Sequence, residues 1–394
     1  ESQLIHLIQE LSGRTLRQQS ASTHITMFYS ERGGWADPRG KAQFATAPER
    51  GYRTRLQHLD MVGMMTRVML VPNPVDSFSV NVAAWLPKVS ELGSDLFVTD
   101  KAEEADLILF VDSYTDTRYR FIRKHPLIAR HAHKSFLFSQ LDDPIHVLPG
   151  IYTNLDRRHH SPGWSGSFCF VDTYRRNPYL ASARELYPMR SLLFSFLGRV
   201  SHPVREKLLA CKFRRSDVVI EQTDGYDHWK ARDEQAEQFN RRYAEVSASS
   251  RFIVCPRGAG VSSIRLFEAM ELGSVPVIVS DDWMPPFGPR WEDFSIRVSE
   301  QNLKQLEAII VEREADWEVM AALARQEWLR WFQEKNFLKQ IVYRTLTLRA
   351  SDRGLRRRCE ALARSRLRWR WARGVEFHTK MLLKRTLLPR PIHP

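Results

Sequence analysis

A chain of 394 residues exceeds what one hydrophobic core usually organises, so two domains are expected, and 43% hydrophobic residues supply material for both. The net charge is +13, but residues 351–394 hold thirteen basic against three acidic side chains, a balance of +10 that leaves the remainder nearly neutral. No run of about 18 apolar residues exists, which excludes a membrane-spanning helix in this sequence; four scattered cysteines (Cys169, Cys211, Cys255, Cys359) without CxxC spacing argue against a disulfide scaffold or a cysteine metal site and suit a reducing compartment.

Residues 1–66 carry one short amphipathic stretch (Leu4, Ile5, Leu7, Ile8, Leu11) and then lose periodicity, so they read as an N-terminal extension. Arg67–Val71 is the first clear strand, Val82–Leu92 a helix interrupted at Pro87, and Asp106–Val111 a second strand with Asp112 at its carboxyl end. Residues 117–134 are basic and helical in pattern, Ser135–Ser139 is a third strand, and Gln140-Leu141-Asp142-Asp143-Pro144 is a loop. This alternation predicts a doubly wound α/β domain over residues 67–185. A turn-rich stretch at Arg157–Gly166, with His159 and His160, introduces the domain junction.

Ser191–Leu197 opens a second wound domain, residues 186–299, turning at Gly198-Arg199 into a helix at Val204–Ala210. Asp217–Ile220 is a short strand and residues 223–243 a charged, solvated segment. Phe252–Val254 then runs into Gly258-Ala259-Gly260, where absent side chains let backbone amides approach a bulky anion, and a helix opens at Ser262 or Ser263. That helix is mostly apolar and therefore buried, yet it carries Arg265 and Glu268 three residues apart. They read either as an ion pair or as a diphosphate ligand and a ribose acceptor. Gly273 caps the helix, and Val275–Val279 is a buried parallel strand leading to Asp281, Asp282 and Trp283. Ligands of such sheets gather beyond the carboxyl ends of the strands. Residues 300–350 are helical, with Trp317, Trp328, Trp331 and Phe332 expected to pack back across the domains.

Taken together, Cys255-Pro256-Arg257-Gly258, Ser263, Arg265-Leu266-Phe267-Glu268-Ala269, Gly273, Pro276-Val277-Ile278, Ser280-Asp281-Asp282 and Pro286-Phe287 resemble the signature of the exostosin-type glycosyltransferase family. Phe97–Val111 and Phe194–Arg199 with Arg205 and Leu208 are similar to further segments of that family, and residues 115–180 align with none of its acceptor-side segments. The resemblance implies a GT-B fold, two Rossmann-like domains facing a cleft, and inverting transfer from a nucleotide sugar, with a UDP-sugar as expected donor, to a glycan or lipid-linked glycan. It implies no cofactor and no catalytic metal. It also suits a soluble bacterial relative, cytoplasmic or peripheral at the inner membrane face, with a trimmed N-terminal anchor left open.

The expected donor and nucleotide ligands are Gly198, Arg199, Arg257, Gly258, Gly260, Ser263, Arg265 and Glu268, with Asp281 and Asp282 on the sugar hydroxyls. Asp142 and Asp143 are the leading candidates for the base, followed by Asp112, and His159 and His160 are further candidates. The basic tail interleaves arginines with Trp369, Trp371 and Phe377, which predicts docking on an anionic membrane surface rather than on nucleic acid. The rivals are a retaining GT-B transferase, which would carry a second glutamate where Pro276 stands, and a non-catalytic nucleotide-sugar or nucleic-acid binding protein.

Overall fold

The computed structural model describes residues 65–113, 119–171, 177–223 and 234–351, together with three two-residue strands upstream. Those strands, Phe28–Tyr29 (β1), Trp35–Ala36 (β2) and Ala42–Gln43 (β3), pair antiparallel within a compact unit of residues 1–62. The basic tail beyond Ser351 lies outside the described residues.

The rest of the chain holds two parallel sheets. The first orders Thr66–Pro72 (β4), Leu96–Val98 (β5), Leu107–Val111 (β6), Ser135–Ser139 (β7), Gly150–Tyr152 (β8) and Ser165–Gly166 (β9) as β5-β4-β6-β7-β8-β9. The second orders Leu192–Gly198 (β10), Val218–Gln222 (β11), Ser250–Pro256 (β12), Val275–Val279 (β13) and Ile296–Arg297 (β14) as β11-β10-β12-β13-β14. Every pairing in both sheets is parallel. Two doubly wound α/β domains with helices after them make up the GT-B architecture.

Continuous burial explains why these strands read as apolar runs without alternation: all residues of β6, β7 and β13 are buried. Local signals mark many element ends. Asp76 caps the helix Ser77–Val89 by accepting from the Phe78 amide at 3.2 Å, which starts that helix five residues before the expected Val82. Pro87 sits inside its last turn without ending it there, because only one amide is lost. Of residues 223–243, expected as charged and solvated, 234–243 belong to a helix Glu234–Ala248 that buries Ala236 and Tyr243 and, beyond that range, Ala244, Val246 and Ala248; the charges occupy its other face.

Aromatic contacts join the C-terminal helices to both halves. Phe168, just after β9, lies 5.7 Å from Phe332 and 6.0 Å from Phe337, while Phe332 also lies 5.0 Å from Phe267 on the helix Ile264–Leu272. Phe332 therefore packs across the domains as expected, whereas Trp317 packs into the second domain alone. At the same seam the fully buried Arg344 guanidinium lies 4.6 Å from the ring of Phe287, 5.2 Å from Phe168 and 5.4 Å from Trp331.

Candidate active site

The two carboxyl edges meet through a short ladder. Asp156 and Trp283 form an antiparallel bridge, with the Arg157 amide donating to the Asp282 carbonyl at 2.7 Å and the Met284 amide to the Leu155 carbonyl at 2.9 Å. The loops after β8 and β13 are thus held edge to edge. This satisfies backbone groups that the ends of the strands would otherwise leave open.

On the second domain, the turn after β12 and the start of the helix Ile264–Leu272 form a cationic hollow. Ser263 occupies the N-cap with extended backbone, but its hydroxyl makes no capping bond, so the amides at the helix start keep their donor capacity. The hydroxyls of Ser262 and Ser263 are both buried and without a partner. Arg205, only 6% exposed, lies beneath the turn and ties it to the end of β10: its Nε donates to the Arg257 carbonyl at 2.9 Å, Nη1 to Arg199 at 3.3 Å and Nη2 to Pro256 at 3.3 Å. Burial, with Arg265 and Arg199 nearby, lowers its pKa to about 9. Gly258 gives that guanidinium room, since a Cβ there would lie 3.2 Å from Nη2.

Arg265 donates from Nε to the Leu197 carbonyl at 2.9 Å and lies over the rings of Phe196 and Tyr243 at 5.4 and 5.7 Å. The ion-pair reading of Arg265 and Glu268 is not what the fold adopts: Glu268 instead accepts from the Tyr243 hydroxyl at 2.5 Å. None of Arg205, Arg257 and Arg265 forms a salt bridge among the described residues, and the Arg257 Nε is buried without a partner. Uncompensated guanidiniums around orphaned hydroxyls are costly unless an anion enters.

The first domain brings Asp142 to this hollow. The residue is exposed at the cleft, yet partial desolvation raises its carboxyl above the usual aspartate range, Asp143 adding to the effect while Arg205 and the Gly260 amide oppose it. Desolvation raises Asp143 as well, with His159 and Arg257 pulling against it and Asp156 reinforcing it. Asn154, after β8, donates to the Leu141 carbonyl at 2.9 Å and accepts from the Ser262 amide at 2.9 Å.

Other expected residues stand elsewhere. Asp112 is fully buried at the end of β6 and accepts from Asn73 at 3.2 Å. The Asp281 carboxylate accepts from the Ser299 hydroxyl at 3.1 Å and from the Glu300 amide at 3.3 Å, which ties the loop after β13 to the segment after β14. Asp282 pairs with Arg158 at 3.0 Å, and Arg158 also pairs with Asp156. His160 is half-buried against the Ser165 hydroxyl at 3.2 Å, and desolvation lowers its pKa. Arg199 is exposed at the mouth, and Gly198 lies against Arg265. Sequence reasoning missed Asn154 as part of the site and did not place Arg205 there; in each case the signal is a distant contact.

Residues 175–312, which hold the glycine turn, Arg205 and Arg265, match the exostosin GT47 domain. The chain carries an exostosin GT47 domain. The exostosin-1 homolog of Caenorhabditis elegans is 31% identical over 99 residues, 25% of this chain and 23% of that protein. Exostosin-1 of Drosophila melanogaster is 29% identical over 172 residues, 40% and 22%. A protein of Arabidopsis thaliana named "Probable glycosyltransferase" is 34% identical over 93 residues, 22% and 20%. The chain spans about a fifth of the length of the curated relatives it matches. Among solved structures, an alpha1,3-fucosyltransferase aligns over 73% of this chain and 91% of its own at a TM-score of 0.36 and 12% identity. HepE of Anabaena, in complex with UDP, aligns over 73% and 98% at 0.28 and 10%.

Proposed function

We propose that this exostosin-domain chain is an inverting glycosyltransferase that takes a nucleotide sugar, a UDP-sugar in particular, and extends a glycan or lipid-linked glycan. One observation carries the reading. The buried, unpartnered hydroxyls of Ser262 and Ser263 sit at an uncapped helix start, in the same hollow as three arginines outside any salt bridge among the described residues. This is the donor set that a diphosphate fills: amides and hydroxyls on its oxygens, with Arg265, Arg257 and Arg205 neutralising its charge. Those contacts strengthen as charge accumulates on the leaving diphosphate, which is where electrostatic stabilisation lowers the barrier.

Asp142 is the proposed base. Its raised pKa brings it nearer to matching a hydroxyl proton, and it comes from the first domain to the edge of the anion hollow, beside Arg205 and the Gly260 amide, within the region where an acceptor hydroxyl would approach the donor sugar. Glu268 and Tyr243 border the nucleotide side. No metal is assigned a role, and the basic tail is proposed to meet an anionic membrane surface by charge alone.

A thermal-shift screen of nucleoside diphosphates and UDP-sugars tests the reading. A ligand at a hundredfold excess over its Kd stabilises the native state by about 2.7 kcal/mol. A clear shift with UDP and none with inorganic phosphate supports it; no shift with any nucleotide overturns it.

A further inference from the structure

Asn154 is 2% exposed and joins the two domains with one side chain. Its Oδ1 accepts from the Ser262 amide at 2.9 Å, while its Nδ2 donates to the Leu141 carbonyl at 2.9 Å and approaches Asp142 Oδ1 at 3.5 Å. The carboxamide has no freedom to flip: a backbone N–H can only donate and a carbonyl can only accept, so both ends are assigned by their partners. Gly260 is shaped to this contact. A Cβ there would lie 2.2 Å from Oδ1 and 2.4 Å from Cγ of Asn154, closer than any atoms pack, so only glycine admits the amide.

We propose that Asn154 is a positioning residue that couples the phosphate-binding turn at Gly260–Ser262 to the carboxylate of Asp142 across the cleft. The proposal rests on the glycosyltransferase reading above. Its Nδ2–H favours the ionised carboxylate, and its Oδ1 fixes the amide that leads into the helix start, so a displacement on either side is transmitted to the other. Asp142 also faces Arg205 from the helix Pro203–Leu209, the Gly260 amide, and Asp143 beside it; behind Asp143 stand His159, Asp156 and Arg257. The Gly260 amide already bonds Asp142 directly, and Asn154 adds a second link, from the Leu141 carbonyl in the base loop to the Ser262 amide at the helix start. A contact of 3.5 Å is long, and such bonds tighten when substrate closes a site.

The test compares wild type with Asn154→Ala and Asn154→Asp, measuring UDP release from UDP-glucuronate, UDP-galactose and UDP-N-acetylglucosamine against pH, and UDP affinity by calorimetry. In Asn154→Ala the acid limb of kcat should move up by about one pH unit, because the ionised base loses a donor. Asn154→Asp should move it further, since a second carboxylate faces the first. UDP affinity should fall about tenfold in both as the Ser262 amide loses its anchor. In an Asp142→Asn background, Asn154→Ala should bring no further loss of kcat, while UDP affinity still falls through the Ser262 amide. An unmoved acid limb in folded Asn154→Ala, with the wild type active, overturns the coupling. Wild-type protein that neither binds UDP nor turns over any of the three sugars overturns the function reading, and the coupling with it. If both Asn154 variants fail to fold, Gly260→Ala applies the same displacement from the opposite side and is read by the same acid limb.

Discussion

The Arg265 guanidinium lies so close to Gly198 that a Cβ on that glycine would stand 2.7 Å from Nη2 and 3.2 Å from Cζ. The buried Phe196 ring obstructs as well, with Cζ 2.9 Å from that Cβ, so Gly198→Ala should lower the melting temperature and displace the guanidinium from its place over Phe196. UDP affinity is expected to fall about tenfold, or ~1.4 kcal/mol. Arg265→Ala removes the charge outright and should cost ~2 to 4 kcal/mol of transition-state stabilisation, read from kcat/KM. Unchanged affinity and turnover in a folded Arg265→Ala protein would move the phosphate seat elsewhere.

Asp142 should exchange activity against stability. Its carboxyl titrates above the unfolded value, so the fold favours the neutral acid; that advantage is complete below the unfolded pKa and disappears as pH rises through the folded one. Asp142→Asn should therefore melt higher than wild type at pH 7, with the difference closing as pH falls below the ordinary aspartate range. Turnover should drop by roughly 10²- to 10⁴-fold if the residue is the base. Melting curves from pH 4 to 8 beside a turnover assay decide both points, and full activity in Asp142→Asn would pass the role to Asp143.

Metal independence is the third expectation. Among the described residues no group of three or more His, Cys, Asp or Glu side chains could hold a metal ion, and Asp281 and Asp282 engage Ser299, Glu300 and Arg158. Turnover should persist in excess EDTA. Complete loss, restored by manganese or magnesium, would make these aspartates candidate ligands.

The fourth expectation concerns residues 351–394. A basic residue near an anionic leaflet contributes about 1 kcal/mol, so a few engaged side chains from a balance of +10 suffice for reversible docking. Removal of the segment should abolish sedimentation with phosphatidylserine vesicles while UDP-sugar turnover persists. Retention of RNA by the intact protein, without vesicle binding, would favour the nucleic-acid rival.

The parts of this protein that were legible along the chain are those set by local rules. Fully buried parallel strands must be continuous apolar runs, which is why β6, β7 and β13 stand out as letters. Gly273 adopts φ 68°, a conformation that glycine enters without a steric penalty, so the end of the helix Ile264–Leu272 was marked one residue beyond Leu272. The glycine turn and the serine at the helix start were legible for the same reason: both are marked by residue types with local backbone preferences.

Long-range contact decided the remainder. Asn154 and Ser262 stand 108 residues apart in sequence, and no periodicity near either one predicts the bond between them. Arg205 belongs to an unexceptional helix until the fold carries three carbonyls of neighbouring strand ends over its guanidinium. The same rule separates Asp142 from Asp112. Both follow a strand, but one reaches the cleft and the other is sealed beneath it against Asn73. Whether a carboxylate serves as base or as scaffold depends on solvent and on neighbouring charge, and those are properties of assembled surfaces that a linear order of residues does not contain.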